Sequence, residues 1–537
     1  MIDSATTEDP SALSKRAAYG LAALSGVLIF LGFAGFDQWP LAFVAWAPLL
    51  VAVRGQTPSF ALKLGLVTGL ILDVGGFYWL QTMLMTFSGF PPAVCAVFTG
   101  ILCAYQGGRA GLFAWLLARA YERRWRFAPF APLVFLAFAA SETLYPVLFP
   151  WFLAGSVHML PVAMQVAELG GPFLVSLVVL APSVAIAEVV DAKRVARPLA
   201  PAAVAGPLSL VAVALLYGAV RLPQVKASMA EAESFKLGLV QGNLGLMQKR
   251  EDPAEGLRRH RRLTAELVKE GADLVVWSES AVTFPMPVDI APRIMKERMV
   301  GGLGVPVIAG AVLYERAKTQ NEREHWFNVA IGTDENGTMT GRFDKTYLLA
   351  FGEYLPLGET FPVLYDVSPN TGHFTAGTSL APLRIPVKGK ERSITALICY
   401  EDILPGFARD AVKEGEPELI VNLTNDAWFG DTTEPWEHLA LAKLRAVEHR
   451  RYLVRATNSG VSAIVDPTGA VVGHTKTYEA AKLLAEARFM KGHTVFEALG
   501  LTPWYLAAAA TVALAFVRRR SNNVPRATRQ PDGTTSQ

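Results

Sequence analysis

Through the first 220 residues polar positions are too sparse to mark one face of a helix, and apolar windows run over 17–36, 39–53, 64–85, 92–118, 127–148, 169–190 and 199–220. A bilayer core of roughly 30 Å takes about 20 apolar residues per helical crossing, so the pattern predicts seven membrane spans there. The second window is short for a crossing and is expected to tilt into a hairpin with the first through Gln38-Trp39-Pro40. One more window, 496–517, follows a long polar stretch and brings the expected number to eight.

From about 235 to 490 the period changes. Short apolar runs at 236–242, 273–278, 306–314, 326–333, 337–344, 393–400, 418–424, 452–457 and 461–466 predict strands, and amphipathic stretches at 254–270, 290–300, 404–414 and 434–450 predict helices between several of them. In the last helix Leu441, Leu444 and Val447 recur at helical spacing while Glu437, Lys443 and Arg450 are directed away. Strands apolar on both faces and alternating with helices predict an α/β domain whose helices cover its sheets. A segment of this size suffices for one such domain.

Composition agrees with a membrane class: of 537 residues, 52% are hydrophobic and only 18% charged. The formal net charge of +3 is small, and no basic run suits a phosphate backbone, so nucleic acid is not an expected partner. The placement of the charges is more informative. Lys15 and Arg16 precede the first window; Arg54 and Lys63 follow the second; Arg119, Arg123, Arg124 and Arg126 follow the fourth; Lys193, Arg194 and Arg197 follow the sixth; Arg518, Arg519 and Arg520 follow the last. The alternate connections, such as 86–91 and 149–168, are nearly free of Lys and Arg. By the positive-inside rule both termini are cytoplasmic and 221–495 lies outside, across the membrane. The first window is longer than a signal-peptide core and is expected to stay uncleaved. The expected organisation is a membrane bundle over 1–220, an external α/β domain over 221–495, a last span over 496–517 and a basic, disordered cytoplasmic tail over 518–537.

Asp73, Arg109 and Glu142 fall inside predicted spans and should face a bundle interior or a wet cleft, either pairing with one another or meeting substrate headgroups. Cys95 and Cys103 lie in an apolar run and Cys399 far along the chain, which suggests no disulfide framework. Neither an HExxH nor a paired-Cys signature is present and the eight His are scattered, so no metal and no cofactor is expected.

Polar residues enter otherwise apolar contexts at three places. VVWSES places Glu279 after a buried-type run, GRFDKTYLLAFGEYLP places Lys345 and Glu353 in a loop, and ALICYED places Cys399 at a strand end. A carboxylate, an ammonium and a thiol form a workable base, oxyanion stabiliser and nucleophile. Singly, each has a plain structural alternative: a turn cap, a solvated loop cation, a small buried hydrophobe.

Together the VVWSES, DKTYLLAFGEYLP, LICYED and LTNDAWFG runs resemble the nitrilase superfamily and, with apolar spans before and after the domain, its membrane branch, the apolipoprotein N-acyltransferases. The resemblance implies an αββα sandwich, Cys399 as nucleophile, Glu279 as general base and Lys345 as stabiliser of a tetrahedral intermediate. A thioester formed on Cys399 would stay reactive enough to acylate an amine, and Glu279 should sit in a partly desolvated pocket that raises its pKa. Glu353, Tyr400 and Glu401 match supporting positions, either positioning the reacting groups or purely structural; Asn425, Asp426 and Trp428 match a loop that lines the pocket or shapes it. One departure is that the family commonly has a Trp a few residues beyond a Gly-Asn pair, whereas Gly242-Asn243 here is followed by LGLMQKRED.

The partners implied are a phosphatidylethanolamine-like phospholipid as acyl donor and the N-terminal amine of a diacylglyceryl-modified lipoprotein as acceptor, in a ping-pong reaction that completes lipoprotein maturation. Two rivals follow from the same residues: a membrane-tethered amidase in which water resolves the acyl-enzyme, and a non-catalytic transporter or scaffold whose Glu279, Lys345 and Cys399 would lie far apart.

Overall fold

Prolines at the first turns and glycines at the closest contacts shape the helical part of the chain. In a computed structural model the described residues are 12–123, 129–245, 252–317, 324–350, 352–355, 357, 358, 360, 361, 363, 365 and 371–516. Arg124, Arg126, the stretch 246–251 after Gly242-Asn243, Arg518 to Arg520 and the tail lie outside the described residues. The helices are α1 (Lys15–Leu31), α2 (Trp39–Ala42), α3 (Ala47–Val53), α4 (Pro58–Gly76), α5 (Leu80–Ser88), α6 (Pro92–Arg123), α7 (Phe130–Leu144), α8 (Pro161–Met164), α9 (Ala167–Arg194) and α10 (Pro201–Glu231).

The expectation of eight spans is corrected. Among the described residues three helices, α4, α9 and α10, are long and apolar enough to cross a membrane, while 39–53, α7 and a C-terminal helix at Thr502–Phe516 are shorter apolar helices. Apolar windows outrun helices because apolar side chains in turns are buried too. The 39–53 window is two short helices, each started by a Pro in its first turn. The 64–85 window breaks after Gly76, where Trp79 turns away to donate from Nε1 to Glu437 Oε2 at 3.2 Å. The 496–517 window breaks at Gly500, whose φ is +56°.

Helices α4 and α6 approach backbone to backbone. A Cβ on Gly69 would stand 2.1 Å from the Gly107 carbonyl oxygen, so only glycine fits this crossing. The approach brings Asp73 of α4 and Arg109 of α6 to one buried space, where Arg109 Nη1 lies 3.6 Å from Glu142 Oε1. The intramembrane-type charges thus face the interior, with Arg109 and Glu142 paired.

The remaining part holds two sheets. Strands are β1 (Ser234–Gln241), β2 (Leu274–Trp277), β3 (Met286–Pro287), β4 (Val307–Glu315), β5 (His325–Thr333), β6 (Met339–Asp344), β7 (Leu383–Val387), β8 (Lys390–Ile398), β9 (Leu419–Thr424), β10 (Leu453–Thr457), β11 (Ala463–Val465), β12 (Val471–His474) and β13 (Ala481–Arg488). One sheet runs β13-β1-β2-β4-β5-β6 with β3 beside β4, and the other β12-β11-β10-β9-β8-β7. The helices are α11 (Pro253–Lys269), α12 (Ala291–Ile294), α13 (Pro405–Gly415), α14 (Glu434–His449), α15 (Val495–Leu499) and α16 (Thr502–Phe516).

The period of two explains the layering. Leu237 and Leu239 of β1 meet Ile394, Ala396 and Ile398 of β8 between the sheets, while Val240 turns outward to Leu263 and Leu267 of α11. Leu397 and Ile420 turn outward to α13 and α14. A helix–sheet–sheet–helix sandwich results, since strands buried on both faces need a layer on each side.

Helix α14 joins this sandwich to the helical part. Lys443 Nζ donates to the His158 carbonyl at 2.6 Å, and Arg450, just past the helix, donates from Nε to Glu168 Oε2 at 2.6 Å and from Nη1 to Gln165 Oε1 at 2.7 Å. Trp79 adds an edge-on contact with Phe429, ring centres 5.2 Å apart.

Candidate active site

Strand β8 ends at Ile398, and Cys399 takes φ +53°, a left-handed conformation costly for a residue with a Cβ. The turn is held by Glu401, fully buried, whose carboxylate accepts from the backbone N–H of Ile398 (2.8 Å), Thr346 (2.7 Å) and Tyr347 (2.8 Å). Burial pushes the Glu401 carboxyl up to about 7 against the pull of these N–H groups and of Lys345. Asn422 of β9 donates from Nδ2 to the Cys399 carbonyl at 3.0 Å. The result is a half-buried thiol presented at the end of a central strand.

Glu279 lies two residues beyond β2, packed so closely on β4 that a Cβ on Gly310 would stand 2.6 Å from its Cα. Lys345 follows β6 directly, its backbone N–H donating to the Asn328 carbonyl at 2.8 Å. The Lys345 Nζ is 2.8 Å from Glu353 Oε2 and 4.0 Å from Glu279 Oε1, with the side chain only 1% exposed. Asn328 Nδ2 bridges both carboxylates, at 2.6 Å to Glu279 Oε1 and 3.0 Å to Glu353 Oε1. Glu353 Oε2 also accepts from the Leu349 N–H at 2.8 Å.

These groups act on one another. Burial works against the Lys345 ammonium, but the carboxylates of Glu353 and then Glu279 hold it charged, above the usual lysine range. Burial, then the negative charge of Glu279, pushes the Cys399 thiol well up, and Lys345 opposes them. At rest the sulfur is therefore a thiol, and a thiolate forms only as its proton leaves.

Beneath Cys399 lies a fully buried ionic platform. Arg455 of β10 donates to Asp402 at 3.0 Å and to Asp426 at 3.1 Å, and His438 Nε2 lies 2.7 Å from Asp402 Oδ1. Asp426, Glu434 and His438 bring one potential ligand atom each within 4.8 Å, yet the Arg455 guanidinium already supplies positive charge at Asp426. Asn425 caps the following turn by accepting from the Ala427 N–H. Tyr400 donates its hydroxyl to the Leu148 carbonyl of the helical part and stacks on Tyr347 at 5.9 Å.

Cys399 opens onto a cavity between the two parts. Glu434, Glu437 and His438 give it a polar stretch, but most of its wall is apolar, from Phe33, Phe77, Trp79, Phe149 and Trp151 of the helical part and Tyr400, Phe429 and Leu441 of the sandwich. Such walls receive hydrocarbon better than a polar amide.

Of the six residues singled out by motif, Glu279, Lys345 and Glu353 form one buried ionic cluster, Cys399 and Tyr400 line the cavity, and Glu401 ties the thiol turn to the backbone just after Lys345. Motifs alone pass over Asn328, Asn422 and Arg455. Each is a buried polar residue within an apolar strand, HWFNVAIGT, LIVNLT and LVRAT, and that intrusion is the signal that marks them.

The chain is similar to known proteins over nearly its whole length. The Carbon-nitrogen hydrolase family matches residues 236–487, and the Apolipoprotein N-acyltransferase N-terminal domain matches residues 25–185. The apolipoprotein N-acyltransferase of Geobacter metallireducens is 31% identical, covering 94% of this chain and 96% of that protein. Those of Azotobacter vinelandii, 30% identical over 93% and 95% of the two chains, and Vibrio cholerae, 27% identical over 95% and 99%, are also similar. A thiol, an ammonium and two carboxylates at the strand ends of a carbon-nitrogen hydrolase sandwich, joined to apolar helices, agree with these matches: the chain belongs to the apolipoprotein N-acyltransferase family.

Proposed function

We propose that the protein moves a fatty acyl group from a membrane phospholipid to the N-terminal amine of a diacylated lipoprotein, through a thioester on Cys399. The observation that carries the reading is a thiol set between a buried ammonium–carboxylate cluster and a cavity walled by hydrocarbon and aromatic rings.

In the first half-reaction Glu279 takes the thiol proton and the sulfur attacks the ester carbonyl. Lys345, with the N–H of Tyr400, offsets the charge that develops on the carbonyl oxygen. The C–O bond breaks and the lysophospholipid leaves with a proton returned from Glu279. In the second, the acceptor amine attacks the thioester, Glu279 takes the amine proton, an amide C–N bond forms, the C–S bond breaks, and Glu279 returns that proton to the Cys399 sulfur. Glu353 positions Lys345, and Glu401 and Tyr400 hold the turn that carries the thiol.

Membrane-inserted donors diffuse laterally, so the sandwich belongs at the bilayer surface. We place it, over 221–495, on the periplasmic face of the inner membrane, with 1–220 and 496–517 embedded, the tail 518–537 and both termini cytoplasmic, the basic connections serving as the cytoplasmic anchor. No metal or cofactor is required by this chemistry.

Incubation of the purified protein with phospholipid and no acceptor should add one acyl mass to the Cys399 peptide, and Cys399→Ala should add none. Undiminished turnover by Cys399→Ala would remove the thioester from the mechanism, and ammonia release from small amides without lipid would favour an amidase.

A further inference from the structure

The cavity at Cys399 shares one side chain with a second space. Trp151, 6% exposed, lines both this cavity and a smaller one inside the helical part. The two differ in chemistry. Around the second stand Asp73, Gln106, Arg109 and Glu142, and among the described residues both Asp73 oxygens, Gln106 Nε2, Arg109 Nη2 and Glu142 Oε2 are buried without a hydrogen-bond partner. Ser156 Oγ and Glu434 Oε2 at the first cavity are also buried without a hydrogen-bond partner, but the second space is ringed by the charged and amide groups of Asp73, Gln106, Arg109 and Glu142, so an alkyl chain is far better received on the Cys399 side of Trp151 than beyond it.

The partition is braced. Arg109 Nη1 donates to the Trp151 carbonyl at 2.8 Å, and its guanidinium carbon stands 3.9 Å from the indole centre. Phe33 packs against the same indole, ring centres 5.2 Å apart.

We propose that Trp151, braced by Arg109, is the end wall that sets the longest acyl chain the protein accepts on Cys399. The proposal rests on the function proposed above. A methylene that reaches the wall loses its burial, worth about fourfold in binding, so acceptance falls by about fourfold for each carbon beyond the limit.

The test uses the full chain in detergent or nanodiscs, given an equimolar ladder of saturated phosphatidylethanolamines of graded chain length without acceptor, with the acyl-enzyme read by intact mass spectrometry. The unaltered protein should show a steep fall beyond one length. Trp151→Ala should move that fall longer by the few carbons that the vacated indole volume holds, and Trp151→Phe should move it less in the same direction and decide the matter alone if the alanine variant does not fold. Profiles that superimpose on the unaltered one overturn the wall while leaving the thioester standing. No acyl-enzyme from the unaltered protein overturns both.

Discussion

The Lys345 ammonium stands 2.8 Å from Glu353, nearer than the 4.0 Å that separates it from Glu279. Glu353 therefore carries most of the work of holding the buried cation, and Glu279 keeps a carboxylate that Asn328 orients from one side. Replacing Glu353 with Gln keeps the shape and removes the charge. A hydrogen bond to a charged group is worth roughly 1.5–3 kcal/mol, so acyl transfer should slow by about 10- to 100-fold in Glu353→Gln. A rate within twofold of the unaltered protein in a lipopeptide gel-shift assay would leave Glu353 a structural strut only.

The thiol of Cys399 should alkylate slowly at neutral pH. Its pKa is raised by burial and by Glu279 and lowered by Lys345, so iodoacetamide should react more slowly than with a free cysteine, with a rate still climbing above pH 9. Lys345→Met removes the opposing cation and should slow the reaction further. Peptide mass spectrometry separates Cys399 from Cys95 and Cys103; equal rates in the two proteins would mean that Lys345 does not reach the sulfur.

His438 couples stability to pH. Burial, then Arg455, lower its pKa, but Asp402 and Glu434 outweigh them and raise it from 6.5 to about 9. A histidine pKa raised in the folded state adds stability that is complete below about pH 6.5 and is lost as pH rises through about 9, on the order of 3 kcal/mol over that range. Glu434, pushed from 4.5 to about 7 by burial and then by Asp426, acts in the same direction over a lower range, its contribution lost as pH rises from about 4.5 through about 7. Thermal unfolding should therefore occur at lower temperature as pH rises over this window. His438→Gln should flatten the dependence, and an unchanged slope would discount the histidine.

Arg455 bridges Asp402 and Asp426 with no exposure at any of the three side chains. Arg455→Leu would strand two buried carboxylates, which costs about 3–5 kcal/mol. Urea unfolding followed by tryptophan fluorescence should show a loss of this size; a loss below about 1 kcal/mol would mean that the carboxylates find other partners.

Local pattern carried much of this protein. Alternation in KLGLVQG and SITALICY placed β1 and β8 to within a few residues, and helical spacing of Leu441, Leu444 and Val447 placed α14, because the periods of strand and helix are properties of consecutive residues. The motif runs likewise marked Glu279, Lys345 and Cys399 as residues to examine. Membrane crossings were less legible. An apolar window does not record where a helix stops, and the breaks after Gly76 and at Gly500 depend on what lies beside them: Glu437 drawing Trp79 away, Arg409 crowding Gly500.

Contacts between distant segments belonged to the tertiary structure alone. That Asn328 bridges two carboxylates, that Arg455 lies under the thiol turn, and that Trp151 lines two cavities are facts about side chains scores to hundreds of residues apart. No local period encodes such meetings. They arise when two sheets and a set of helices bury their apolar faces together, and the few polar groups carried inside must then satisfy one another.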